Sequence, residues 1–239
     1  MTLNDLIATG SGKMGITLTN TQIHDLARFH DMLIAANRVM NLTRVSDDLY
    51  EAVDRNYLDS LAPLGIPGLF SDVNSLIDVG SGAGFPGIPL AIARPDIRIT
   101  MVDALGKRIK FINEVIQTLN LNANAIHMRS EDAGRDPSLR AKFDCATARA
   151  VAGTNVLLEL CLPFVKTGGM MIAYKGPSLE EELTTSKAAL SMLGGRIRTV
   201  FPVIVPERDW THQLLVVDKI NPTPGRYPRK AGEPGRNPL

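Results

Sequence analysis

The residues best placed to do chemistry begin at LIDVGSGAGFPG, positions 76–87. An apolar run ends on Asp78-Val79 and passes into Gly80, Gly82 and Gly84, and Gly87 completes four glycines in eight residues. Glycine loses more conformational freedom on folding than any other residue. Such a cluster is therefore costly unless the backbone must turn sharply or let a ligand approach closely. The third glycine comes one residue too early for the dinucleotide fingerprint G-x-G-x-x-G, and Phe85 stands in its sixth place. No G-x-x-x-x-G-K-[ST] phosphate loop is present.

Three later positions fall in the same rhythm. Asp103 closes IRITMVD, 23 residues after Gly80. A strand-end acid there can accept hydrogen bonds from ribose hydroxyls, or it can cap the helix that begins near Leu105. Ser130, Glu131 and Asp132 follow AIHM and would face an adenine edge, or else form a solvated charge cluster. Arg149, in ATARAVAG, is bracketed by small apolar residues, which favours the crevice over an ordinary surface arginine.

The elements that must position these residues follow from periodicity. Residues 1–65 read as helical. Thr19 and Gln22 form a capping box ahead of Ile23, Leu26, Ala27, Leu33 and Ile34. A second helix is expected from about Asp47 to Leu61, stopping before Pro63. From Ser75 short apolar runs alternate with helical stretches, which predicts a parallel sheet covered on both faces. A long helix is expected over Leu179–Leu193. IRTVFPVIV and HQLLVVDKI then make an antiparallel pair at the sheet edge. Ligands of such sheets bind at the carboxyl ends of the strands. The expected organisation is a helical extension (1–68), an α/β domain with a mostly parallel seven-stranded sheet (69–220) and a basic tail (221–239).

The 239 residues are 44% hydrophobic and 21% charged, which fits a folded globular chain and argues against disorder. Two cysteines, Cys145 and Cys161, exclude a disulfide framework and a four-cysteine zinc site, and no metal is expected. No apolar run is long enough to span a bilayer, and the N-terminus lacks a secretory pattern, so a cytoplasmic protein with no membrane partner is expected. Residues 219–239 carry Lys219, Arg226, Arg229, Lys230 and Arg236 against Glu233, a net +4, which leaves −3 on the other 218 residues. With five prolines and three glycines this stretch is expected to lack regular structure and to touch a polyanion through its cations; the alternative is a solubilising appendage.

The spacing G-x-G-x-G after an acid-bearing strand resembles the first motif of methyltransferases that use S-adenosylmethionine. The whole set VMNLTRVSDDLYEAVDRNYLDSLAPL, LIDVGSGAGFPGIPLAI, VDALGKRIKFINEV, TARAVAGTNVLLELCLPFVKTGGMMIAYKG and EEEL is more specific. It resembles the bacterial small-subunit ribosomal RNA guanine-N7 methyltransferase family, also called glucose-inhibited division protein B. The ending RYPRKAGEPGRNPL looks like the tail of the Firmicutes branch. The resemblance implies a Rossmann-like methyltransferase fold, S-adenosylmethionine as donor, and 16S ribosomal RNA or a small-subunit assembly intermediate as partner; a monomer is expected. It places cofactor contacts on Gly80, Phe85, Ser130, Glu131 and Arg149. Two positions depart from the family pattern: Asn56 stands where histidine is usual, and Thr211-His212-Gln213 stands where an arginine is usual.

Methyl transfer from a sulfonium is an in-line displacement in which the protein supplies position and electrostatics. Guanine N7 offers an in-plane lone pair and no proton, so no general base is required, and no catalytic acid or base is assigned. Asn41 and Thr43 in NLT, Lys175 in YKG, and Arg229 and Lys230 in the tail are candidate substrate-side groups. The plain alternatives are a helix-linking turn for the NLT pair and a strand-end lysine for Lys175. Arg44 and Arg55 add positive charge to the helical extension. Two rival readings are a small-molecule methyltransferase, which would not need the basic tail, and a non-catalytic RNA-binding protein, which would not bind the donor.

Overall fold

The computed structural model describes every residue except 44, 45, 47, 150, 151, 207 and 209. The expectation for Arg44 therefore lies outside the described residues. The strands are β1 (Ser75–Val79), β2 (Arg98–Asp103), β3 (Ala123–His127), β4 (Phe143–Arg149), β5 (Val165–Lys175), β6 (Gly195–Val203) and β7 (His212–Lys219). They form one sheet in the order β3-β2-β1-β4-β5-β7-β6. The first five are parallel, and β7 runs antiparallel to both β5 and β6. Strand order reverses between β1 and β4, and at such a switch point the loops part and leave a crevice at the strands' carboxyl ends. Every residue of β1 is buried, as a central strand covered on both faces requires.

Eleven α-helices are described: α1 (Leu3–Lys13), α2 (Asn20–Met40), α3 (Leu49–Ala52), α4 (Asp59–Leu61), α5 (Gly87–Ala93), α6 (Gly106–Leu119), α7 (Ser130–Ala133), α8 (Thr154–Cys161), α9 (Leu179–Thr185), α10 (Lys187–Leu193) and α11 (Glu233–Arg236). The N-terminal helices share one apolar cluster with α5, α6 and one face of the sheet, while α8, α10 and Tyr227 cover the other face. Helix α2 starts with the expected capping box, Thr19 Oγ1 accepting from the Gln22 amide and Gln22 Oε1 from the Thr19 amide. The Gln22 side-chain amide also donates to the carbonyls of Ile92 and Ala93, so one residue starts α2 and satisfies the end of α5. Asn41 ends α2 in the left-handed conformation at φ 47°.

Three expectations need correction. The helix expected from about Asp47 to Leu61 is two short α-helical pieces around a π-helical segment, Val53–Leu58. Ser60 Oγ donates back to the Asn56 carbonyl at 2.5 Å. The segment expected as one helix over Leu179–Leu193 breaks at Ser186. There Thr184, Thr185 and Ser186 all donate their hydroxyls to carbonyls three or four residues back, a local competition that bends helices.

The third correction concerns the tail, which is docked on the body. Tyr227 and Pro228 are buried, and Glu233–Arg236 form a helical turn. Arg140 holds the segment by donating to the carbonyls of Gly134, Thr223, Pro224 and Tyr227. Arg135 donates to the Pro228 carbonyl at 2.7 Å. Proline and glycine deny this stretch a long helix or a ladder, but side-chain donors from the body supply the partners that its carbonyls need. Lys219 is 2% exposed at the end of β7, donating to the Leu193 carbonyl, and is no part of a solvent-facing charge patch.

Candidate active site

The glycine loop is shaped by hydrogen bonds to the neighbouring strand. The amides of Gly80 and Ser81 both donate to the Val102 carbonyl, at 2.8 and 3.2 Å. The Gly82 amide donates to Asp103 Oδ2 at 2.9 Å. Gly82 sits at φ +59°, and a Cβ built there would meet no atom within 4 Å. The backbone at Gly82 thus faces open space, as close approach by a ligand requires. Gly87 is glycine for the opposite reason: a Cβ there would lie 2.7 Å from the Met101 side chain and 2.8 Å from the Asp78 carboxylate.

Asp103 anchors the glycine loop and the turn that leads into α6. Its Oδ1 accepts from the Leu105 amide at 2.8 Å, a turn just ahead of α6, which itself has no side-chain cap, while Oδ2 accepts from Gly82 and from Arg108 Nη1 at 3.4 Å. A carboxylate offers about four acceptor positions, so these bonds leave capacity for hydroxyls. Arg108 Nε beside it is the one buried side-chain polar atom without a hydrogen-bond partner among the described residues. Open backbone at Gly82, an anchored acid and a neighbouring unmatched donor fit a nucleoside carrying ribose hydroxyls.

Arg149, at the end of β4, reaches the same crevice. Its Nη1 donates to the Arg55 carbonyl at 2.8 Å and lies 3.2 Å from Asp59 Oδ2 and 3.3 Å from Ser60 Oγ. Its guanidinium stands 5.1 Å from the centre of the Phe85 ring. Phe85 in turn packs on Phe29 and Tyr57 at 5.1 and 5.6 Å. The π-helical segment supplies the Arg55 carbonyl, in keeping with the frequent use of such segments at functional sites. His212 completes the group by meeting Asp59 Oδ1 through Nδ1 at 3.0 Å, and its ring lies 5.3 Å from that of Trp210. Arg55 and Arg208 flank the Trp210 ring at 5.1 and 5.5 Å.

The other predicted positions fall into distinct places. Asn41 adjoins the start of α6, where Lys107 Nζ donates to the Met40 carbonyl at 2.6 Å and reaches that of Asn41 at 3.4 Å, and the Thr43 amide donates to Asn37 Oδ1 at 3.0 Å. Lys175 is ion-paired with Glu182 at 2.5 Å and its side chain is buried. Arg229 is ion-paired with Glu159, and Lys230 is exposed. Ser130 and Glu131 begin α7, directly after the Met128 amide donates to the Asp103 carbonyl. The Glu131 carboxylate, however, accepts from the Gly232 amide of the tail at 2.7 Å. Sequence reasoning misses Asp59, Asp78 and Trp210. The signals available for the first two are an acid inside the helical run LDSL and an acid inside the buried strand LIDV, since a buried carboxylate needs partners.

Asp78 is fully buried beneath the loop, accepting from the Gly87 amide at 3.1 Å and from Thr147 at 3.4 Å. Burial pushes its carboxyl up to about 7, against the opposing hydrogen bonds and the charge of Arg149. The folded state therefore holds a proton between about pH 4 and pH 7 that the unfolded chain has released, so this group's contribution to stability falls as pH rises through that window. Asp78→Asn should remove that dependence. Between pH 5 and pH 8 the native protein is expected to lose roughly 2–3 kcal/mol relative to the variant in denaturant titrations. A gap that does not change with pH would overturn this account. Burial likewise pushes the Cys145 and Cys161 thiols well above their ordinary value, so neither is a nucleophile.

The family model described as rRNA small subunit methyltransferase G matches residues 22–209. The chain belongs to that family. It is 44% identical over 239 residues to ribosomal RNA small subunit methyltransferase G of Acetivibrio thermocellus, covering 99% of this chain and 97% of that one. It is 44% identical over 243 residues to that of Leuconostoc mesenteroides, covering both chains in full. Among solved structures, a single-residue variant of the 16S rRNA (adenine(1408)-N(1))-methyltransferase from Catenulisporales acidiphilia shares the fold. Its TM-score is 0.51 at 18% identity, over 63% of this chain and 87% of that one. As a family member the chain is an S-adenosylmethionine-dependent methyltransferase of small-subunit ribosomal RNA, and the crevice between β1 and β4 is where its fold places a ligand. Among the described residues no helix is long and apolar enough to cross a membrane, and no cluster of three or more His, Cys, Asp or Glu side chains could hold a metal.

Proposed function

We propose that the crevice at the ends of β1, β2 and β4 binds S-adenosylmethionine and delivers its methyl group to N7 of a guanine in 16S ribosomal RNA. When bound, the donor supplies an electrophilic methyl on a positively charged sulfur. Gly82 gives it close backbone approach, Gly80 and Gly84 at positive φ shape the loop around it, with Gly84 packed against Ile88, Asp103 takes the ribose hydroxyls, the turn at Ser130–Glu131 flanks the adenine, and Phe85 with Arg149 closes the side nearest the acceptor. Asn41 and Thr43 lie on the substrate side, as do the exposed tail cations Arg226, Lys230 and Arg236. Lys175 and Arg229 act through their ion pairs. The enzyme acts as a cytoplasmic monomer.

The observation that carries the N7 assignment is the state of the groups around Arg149. Asp59 is shared between Arg149 and His212. N7 alkylation needs no proton removed, and it leaves positive charge on the purine. A carboxylate already seated on Arg149 keeps that guanidinium from opposing the new charge. The test is mass mapping of modified nucleosides after incubating unmodified 16S RNA and 30S particles with labelled donor. A single 7-methylguanosine supports the reading; label on an exocyclic amine or a ring carbon would overturn it.

A further inference from the structure

Composition alone makes the tail a free basic arm with no bearing on the donor. The structure joins it to the donor site through an unbroken series of contacts. The Gly82 amide donates to Asp103, the Asp103 carbonyl accepts from Met128, and three residues later Glu131 accepts from the Gly232 amide at 2.7 Å. Around that last bond the packing is tight. A Cβ on Gly134, one residue past α7, would come within 2.9 Å of the Pro228 ring. Tyr227 and Leu239 join the apolar cluster that includes Ala133 and Met128. Arg135 and Arg140, just after α7, donate to tail carbonyls.

We propose that the C-terminal segment, residues 222–239, is the outer wall of the S-adenosylmethionine site, and that Glu131 is a positioning residue whose carboxylate fastens the adenine-side turn to the Gly232 amide. This rests on the reading that places the adenine beside Ser130–Glu131. With its side chain turned to the tail, Glu131 presents its backbone to the donor. The four-residue helix α7 is too short to hold its own shape, so the tail supplies the rigidity that a preformed site needs.

The test measures donor affinity by calorimetry with S-adenosylmethionine, and amide exchange over residues 128–134 in the donor-free protein. A chain ending at Lys230 loses the Gly232 amide and the Leu239 contact but keeps Tyr227, Pro228 and the Arg229–Glu159 pair, so the main part of the dock remains. We expect it to bind the donor about tenfold more weakly, the scale of losing one charge-assisted hydrogen bond, with faster exchange at 128–134. Glu131→Ala should do the same, and the combination should be no worse than either alone. Glu131→Gln, which keeps an acceptor oxygen for Gly232, should recover most of the loss. Effects that add would overturn the fastening role, since Glu131 and the tail would then act on the donor independently; a shortened chain that binds normally while Glu131→Ala does not would mean that Glu131 touches the donor directly and the tail is no wall. Normal affinity in Glu131→Ala as well would overturn the proposal and leave the adenine placement, which rests on the backbone of the turn, to the Gly82 variants. If the shortened chain fails to fold, the two Glu131 variants decide: equal loss in Ala and Gln overturns the proposal, and recovery in Gln supports it.

Discussion

Arg229→Met is expected to cost about 3–5 kcal/mol of folding stability, the scale of breaking a buried ion pair by removing one partner. Glu159 is 0% exposed, on the face of α8 that packs under the tail. Its carboxylate accepts from the Arg229 amide at 2.7 Å, from Nε at 2.9 and 3.1 Å, and from Nη2 at 2.6 Å. Methionine fills much of the same space but leaves the carboxylate with only the backbone donor, and a buried charge without partners is the expensive state. For a chain of this size the loss corresponds to a fall in melting temperature of roughly 6–20 °C. Replacing both partners, Glu159→Leu with Arg229→Met, should recover most of it, because desolvation of the pair offsets much of its attraction. Denaturant titrations of the three variants test this. A loss under about 1 kcal/mol in Arg229→Met would class the pair with solvent-screened surface bridges and detach the tail from the body energetically.

That pair also shows why the tail is hard to read from sequence. Composition describes residues 219–239 as polar, basic and rich in proline and glycine, and by that measure they should stay in water. What fixes them lies elsewhere in the chain. Glu159 sits in TNVLLELC among apolar residues, and Arg140 lies 83 and 87 residues from two of the carbonyls it grips. The lone acid in an apolar helix is a legible clue that a cation must come to it, but nothing local says which one. The sheet, by contrast, is readable because each strand carries its own signal. Continuous apolar runs mark β1 and β2, and Asp78, Gly80 and Asp103 stand at strand ends that the alternation with helices already locates. Arg149 is legible from its small apolar flanks, whereas its anchor Asp59 is not. The π-helical segment that brings Asp59 and the Arg55 carbonyl to it is a local widening that no hydrophobic period encodes. His212, marked in sequence as a departure from the family pattern, turns out to share Asp59 with Arg149.

Gly82→Val is expected to weaken S-adenosylmethionine binding by about 3 kcal/mol or more, over a hundredfold, while leaving RNA affinity near that of the native protein. Two effects act together. At φ +59° a β-branched residue is strained by about 1–3 kcal/mol, and relief by backbone movement would pull the Gly82 amide off Asp103. The added methyl groups also enter the space in front of the loop, which the protein itself leaves open. Alanine separates the two contributions. Its Cβ would meet no protein atom within 4 Å, so Gly82→Ala perturbs no packing and carries only the left-handed backbone cost of about 1–2 kcal/mol. Any loss of donor affinity in Gly82→Ala beyond its loss of stability therefore reports a ligand lying against that position. Calorimetry with S-adenosylmethionine, set beside thermal melts of both variants, measures each part. If Gly82→Val folds and binds the donor as the native protein does, the donor does not lie against this loop, and the roles of Asp103 and the Ser130–Glu131 turn as donor contacts fall with it.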